Sequence, residues 1–142
     1  MDISKKQIQK LGKRIRDNLE TPEDNELLIN YRTLFEEPLV ELNKRLTETI
    51  NVADFKYVIA GRLKRIKSIK RKLRRPSSHN MDLSRMSDIA ATRIIVDSTP
   101  SQQAVFDRVV ESFEIDKIKD KRNGNENYRA IHIYIRDEKN NI

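Results

Sequence analysis

Residues 61–75, GRLKRIKSIKRKLRR, carry nine basic side chains and no acidic one. The whole chain has 29 Lys and Arg against 22 Asp and Glu, so its net charge of +7 is concentrated in this one stretch. Such a run leaves few ways to fold. A helix advances about 100° per residue, so Ile66, Ile69 and Leu73 fall on one side. Lys64, Ser68, Arg71, Lys72 and Arg75 cluster on the other. The apolar side can pack on a sheet while the other offers cations and a hydroxyl to a polyanion. A polyphosphate needs several cations on a rigid support. By charge alone, a solvated helix face or a non-selective nucleic-acid patch fits equally well. Aromatics are not interleaved with the cations, which argues against a single-strand stacking groove. No GxxxxGK[ST] loop is present.

The rest of the composition narrows the classes. Only 37% of residues are apolar and 36% are charged, yet the apolar ones recur at helix and strand periods, so a core can form. With no cysteine, disulfides and thiolate metal sites are excluded. Two histidines, His79 and His132, exclude a histidine-rich site. The N-terminus has no apolar signal-peptide core. No stretch approaches the roughly 18 apolar residues of a membrane span. A soluble cytoplasmic protein without membrane contact is expected, with a helical segment over 1–50 and the main domain over 51–142.

Taken in order, residues 3–18 read as a helix with Ile3, Ile8, Leu11 and Ile15 on one face. Thr21 and Pro22 start a second, with Leu27, Leu28, Tyr31, Leu34 and Phe35 as its face. Pro38 is expected to break or kink it, before a third carrying Leu39, Leu42, Leu46 and Ile50. A turn at 51–54 leads to a strand over 55–62, then the basic helix over 65–75, stopped by Pro76. A short helical turn over 83–89 and a strand over 91–97 follow. A helix from Thr99 has Ala104, Val105, Val109 and Phe113 on one face. Residues 114–121 form a strand, 121–127 a loop, and 128–136 a strand. In the last, Ile131, Ile133 and Ile135 alternate with Tyr128, His132 and Tyr134. Strands separated by helices imply an α/β or α+β fold, a mixed sheet flanked by helices.

Two further positions carry chemistry. Asp88 precedes a strand and could join phosphate oxygens around Mg²⁺, which takes one or two carboxylates. Helix capping or a plain ion pair is the commoner fate of a lone Asp. Arg93 lies inside the apolar run ATRIIV, where an Arg calls for a partner or a ligand. Tyr128 could stack on a base, and His132 reads as a residue of a wet strand face.

GRLKRIKSIKRKL resembles the GRxKxxxSIxxKL motif of RelA/SpoT-type alarmone synthetases. MSDIAATRIIVD resembles their strand DI-small-x-R-I-I-V, and KIKDKRNGNENYRAIH resembles their KDYI…NGYRSLH segment. The order and spacing are those of the family, over residues 51–136. The resemblance implies a nucleotidyltransferase-like mixed sheet of about five strands with N-terminal helices. It implies transfer of the β,γ-pyrophosphate of ATP to the 3′-hydroxyl of GDP or GTP. Arg62 and Arg93 would sandwich the adenine, and Lys64, Ser68 and Lys72 would hold the ATP phosphates. Asp88 would be the catalytic Mg²⁺ ligand. Tyr128 would stack on the acceptor guanine with His132 beside it. Asn127 replaces the family's Gly before the Tyr, and Lys121 replaces the aromatic after KD, which leaves the acceptor open. The family's ExQ strand, with the Glu that activates the 3′-hydroxyl, is expected soon after Asn141, and the sequence given stops at Ile142. A relative that pyrophosphorylates tRNA 3′ ends and a silent nucleotide-binding remnant are the alternatives. RNA contact through the basic stretch and homo-oligomer formation stay open.

Overall fold

A computed structural model describes residues 2–51, 56–76, 81–123 and 129–137. The elements run α1 (Lys5–Arg16), α2 (Pro22–Thr33), α3 (Glu36–Ile50), β1 (Tyr57–Leu63) and α4 (Ile66–Leu73). After a 3-10 turn at Leu83–Arg85 come β2 (Ala90–Val96), α5 (Thr99–Ser112), β3 (Ile115–Asp120) and β4 (Ile131–Ile135). The class is α+β, as expected. The described residues hold four strands, paired β1–β2 and β3–β4 as two small sheets, rather than the expected sheet of about five strands. No helix among the described residues is long and apolar enough to cross a membrane.

Two compact units interleave along the chain. The first contains Met1–Leu39 and Gly61–Ala91, and the second Val40–Ala60 and Thr92–Ile142. In the first unit, Ser4 and Gln7 form a reciprocal capping box at the start of α1, and Thr21 and Asp24 do the same for α2. Pro22 occupies the first turn of α2, where its missing N–H costs nothing. Asn18 takes φ 58° between the two helices, a left-handed conformation that Asn tolerates. Ile8, Leu11 and Ile15 of α1, Leu28 and Tyr31 of α2, Ile69 and Leu73 of α4, and Leu83, Met86 and Ile89 build one buried core. Gly12 permits a close approach within it: a Cβ there would lie 2.9 Å from the Leu83 Cβ.

Pro38 does not break the third helix. It sits in the first turn of α3, which begins at Glu36, where no backbone donor is needed. The chain turns earlier, at Leu34 and Phe35, where 3-10-type bonds from Leu34 N–H to Tyr31 O (3.1 Å) and Phe35 N–H to Arg32 O (3.1 Å) close α2.

The second unit has its own core: Leu46, Ile50, Val105, Val109 and Phe113, with Ile59, Ile94, Ile115, Ile133 and Ile135 packed on it. β3 and β4 are antiparallel, with Ile118 opposite Ile133 and Lys119 opposite His132. A bulge between Ile115 and Lys117 shifts the register at one end.

Candidate functional site

The site grows from the turn between β1 and α4. The Lys64 backbone is held on both sides. Its N–H donates to Ile89 O at 2.7 Å, and its carbonyl accepts from Arg32 Nε at 2.7 Å. Its side chain reaches Asp88, with Nζ 2.9 Å from Oδ2. Near the end of α4, Lys72 Nζ donates to the other oxygen, Oδ1, at 3.0 Å. Each carboxylate oxygen therefore has its own ammonium. Ser68 lies one turn before Lys72 on α4 and is half-buried. These residues meet because Ile69 and Leu73 are fully buried and fix the rotation of α4. Leu83, Met86 and Ile89, also buried, fix the segment bearing Asp88.

Partial burial works against the charged form of Asp88, but the hydrogen bonds from Lys64 and Lys72 outweigh it and hold the carboxyl below its ordinary range. Asp88 is thus an anion at neutral pH, paired with two cations. The commoner fate of a lone Asp, an ion pair, is what the protein shows here.

The segment leading to Asp88 is itself tied to α1. Asp82 caps the 3-10 turn through Ser84 N–H at 2.9 Å and accepts from Gln9 Nε2 at 3.1 Å. Arg16 donates to Met81 O. Burial opposes the Asp82 charge, and the Ser84 and Gln9 hydrogen bonds more than offset it, so its carboxyl is also held low.

The basic stretch does not present one cationic face. Seven of its nine cations divide three ways. Lys64 and Lys72 take Asp88. Lys70 donates to Asn25 Oδ1 at 2.5 Å and lies 3.6 Å from Glu20 Oε1, while Arg74 pairs with Glu20 and donates to Ile15 O at 2.9 Å. Lys67, Arg71 and Arg75 remain exposed, and with Lys70 and Arg74 they line an open groove of about 430 Å³. Arg71 and Arg75, expected beside Lys64 and Lys72, belong to that groove. Glu20 and Asn25 went unrecognised as partners because they lie some 45 or more residues away in sequence and carry no motif.

Arg62 is exposed on β1. Arg93 is exposed on β2, which corrects the reason for singling it out. The strand is buried on one face only: Ile94 and Val96 pack on the core, while Arg93 and Ile95 face outward. An Arg on that outer face needs no buried partner.

On the β3–β4 hairpin, His132 and Tyr134 are cross-strand partners of Lys119 and Lys117. Lys117 Nζ lies 4.7 Å from the centre of the Tyr134 ring and Lys119 Nζ 5.8 Å from it. Burial first, then the charges of Lys121 and Lys119, push the His132 imidazole below its usual pKa, favouring its neutral form. Tyr128 and His79 lie outside the described residues. The stems of the β3–β4 connection are held from α5. Arg122 donates to Gln103 Oε1 at 2.6 Å, and Gln102 Nε2 donates to Arg129 O at 2.8 Å. Arg122 also grips Asp120, whose carboxyl falls to about 2. Gln102 and Gln103 were not singled out by sequence, since two glutamines on a helix face carry no distinctive signal.

No group of three or more His, Asp or Glu suited to a metal occurs among the described residues. Asp88 offers a hard oxygen donor beside the two lysines. That fits Mg²⁺ if phosphate oxygens and water complete its shell, the usual way this ion is held.

No curated protein matches the chain. A family model described as a region found in RelA / SpoT proteins matches residues 61–142, a span that includes Lys64, Lys72, Asp88 and the hairpin.

Proposed function

The chain belongs to the RelA/SpoT family, and we propose that it is a pyrophosphokinase-type enzyme using ATP as donor and GDP or GTP as acceptor. In that reaction the acceptor 3′-hydroxyl gives up its proton to solvent as its oxygen forms a bond to the β-phosphorus of ATP. The bond from that phosphorus to the α,β-bridging oxygen breaks, and AMP leaves. The product would be a (p)ppGpp alarmone of the stringent response.

The observation that carries this reading is the convergence of Lys64 and Lys72 on one carboxylate, at 2.9 and 3.0 Å. The two ammoniums stand close enough together to share one dianionic group. Lys64, with its backbone fixed, and Lys72, on a helix anchored by Ile69 and Leu73, would hold the ATP phosphates, and the Ser68 hydroxyl would add a donor. Arg62 and Arg93 would stack on the adenine. Asp88 would hold Mg²⁺, which when bound neutralises developing phosphate charge. Tyr128 would stack on the acceptor guanine. His132, held neutral by burial and by its lysine neighbours, would lie beside the acceptor without adding charge. Catalysis would rest on positioning and on neutralising charge around an in-line displacement.

The test is to incubate the protein with ATP labelled in its β- or γ-phosphate and Mg²⁺, offering GDP, GTP or tRNA. Label on GDP or GTP is expected. Label on tRNA alone would replace the acceptor, and unconsumed ATP with all three would defeat the enzymatic reading.

A further inference from the structure

We propose that Asp88 is an internal stand-in for a phosphate group, occupying the Lys64–Lys72 pair in the ligand-free protein and releasing it when a divalent cation takes the carboxylate. The inference rests on the reading of this cluster as a polyphosphate site and concerns how that site is controlled.

Four observations support it. First, the carboxylate uses both oxygens, one per lysine, as a phosphate bridging two ammoniums would. Second, the exposure is graded: the Lys64 side chain is 14% exposed and Lys72 23%, whereas Asp88 is 40% exposed. The anion is the outermost member, so an incoming polyphosphate meets its negative charge with the cations behind it. Third, Asp88 has little backbone freedom. Ile89 beside it is fully buried, and its carbonyl accepts the Lys64 N–H at 2.7 Å. The flexible parts are the two lysine stems, which can carry their ammoniums from a carboxylate to a phosphate with small changes of angle. Fourth, Lys70 and Arg74, the other cations of the basic stretch with a counter-carboxylate among the described residues, share Glu20, whose side chain is only 13% exposed. There the carboxylate is the shielded member, whereas Asp88 is the most exposed member of its own cluster.

The consequence is a coupling between cation and polyphosphate. Without a divalent cation, a polyphosphate has to displace a like-charged group from the lysines. With one, the Asp88 charge is neutralised and the lysines pass to the phosphate. An ordinary metal ligand behaves differently: its loss removes the benefit of the metal and leaves metal-free binding unchanged. A stand-in, when lost, improves metal-free binding.

The experiment measures equilibrium binding by calorimetry on the full chain and on Asp88→Asn. Asp88→Ser serves as a second variant, and the fold of both is checked by circular dichroism. The ligands are ATP in EDTA, ATP with Mg²⁺, and inorganic tripolyphosphate in EDTA. Both variants are expected to bind metal-free ATP and tripolyphosphate about tenfold more tightly than the natural chain, the size of one relieved charge contact at a partly exposed site. The gain from Mg²⁺ should shrink to about threefold or less in the variants. Metal-free affinity that is unchanged or weaker in both folded variants overturns the proposal, as does failure of all three proteins to bind either ligand. If tripolyphosphate follows the expected pattern while ATP binds to none of them, the stand-in holds and the nucleotide reading falls.

Discussion

The basic helix α4 and the β3–β4 hairpin are both rich in lysine, and they handle that charge in opposite ways. On and beside α4, four cations are matched to carboxylates brought from elsewhere in the chain: Lys64 and Lys72 to Asp88, Lys70 and Arg74 to Glu20. On the hairpin, Lys117 and Lys119 lean over the ring of Tyr134, and the nearby Asp120 is taken by Arg122. The first arrangement is organised before any ligand arrives, since its side chains are fixed by charge pairs over a buried core. The second leaves strand cations beside a neutral histidine, a surface whose charge a ligand must complete. Pre-organisation on one side and adaptability on the other is what a tightly oriented donor and a more variable acceptor would require.

That contrast can be broken in several places. The largest effect is expected at Lys64 and Lys72. Lys64→Met or Lys72→Met should lower kcat/KM for ATP by about 10²–10³, the cost of losing one strong electrostatic contact at a reacting group. The thermal unfolding midpoint should change little. A large fall in stability with unchanged ATP use would make the pair structural.

Next comes the seam between α1 and the 3-10 turn. Gly12→Ala would place a Cβ 2.9 Å from the Leu83 Cβ, between two backbones that are both packed in the core. Overpacking of this kind costs about 1–3 kcal/mol, against a helix-propensity gain of at most about 1 kcal/mol. A net loss of stability in urea unfolding is expected, with weaker Mg²⁺-ATP binding because the segment bearing Asp88 shifts. Unchanged ATP binding in a destabilised variant would uncouple α1 from the site.

The clasp between α1 and α2 gives a smaller, pH-marked effect. Arg14 Nε and Nη2 donate to both oxygens of buried Asp24, at 2.8 and 2.7 Å. The Arg14 hydrogen bond, working against burial, pulls the Asp24 carboxyl from 3.8 to about 2. A depressed folded pKa means the contribution is fully present above the unfolded value and is lost as pH falls. Stability should therefore drop between about pH 4 and pH 2 in the natural chain. Arg14→Gln should be about 1–2 kcal/mol less stable at pH 7, since Arg14 is partly exposed, and should show a shallower acid decline. Parallel acid profiles would remove Arg14 as the cause.

The smallest effect belongs to the hairpin. Gln103→Ala removes one of two partners of Arg122, which keeps Asp120, and should cost under about 0.5 kcal/mol. If the stems of the β3–β4 connection orient the acceptor, KM for GDP or GTP should rise a few-fold while KM for ATP stays constant. A change in KM for ATP alone would reverse the assignment of the two regions.

Much of this was legible in the sequence where a residue's role follows from its own neighbours. Ile8, Leu11, Ile15, Val105, Val109 and Phe113 lie at helical spacing, and all are buried. The alternation of Ile131, Ile133 and Ile135 with His132 and Tyr134 gives β4 its two faces, with Ile133 and Ile135 on the core. The lysines of the basic stretch stood out as part of a run of nine cations with no acid, and Asp88 as an acid just before an apolar strand. What local pattern does not carry is pairing over distance. Nothing near Lys70 points to Glu20 or Asn25, and nothing in ATRIIV says that one face of β2 is exposed, so Arg93 reads as calling for a partner or a ligand. The start of α3 was missed because Pro38 reads as a breaker unless the helix is known to begin two residues earlier, at Glu36.

The central claim is that the Lys64–Lys72–Asp88 cluster is a phosphate site. The most direct measurement is equilibrium binding of ATP with Mg²⁺ to the natural chain and to the Lys64→Met/Lys72→Met double variant, with the fold of each verified. Saturable binding to the natural chain and its loss, by at least about a hundredfold, in the double variant is the predicted result. Equal affinity in the two proteins would contradict it.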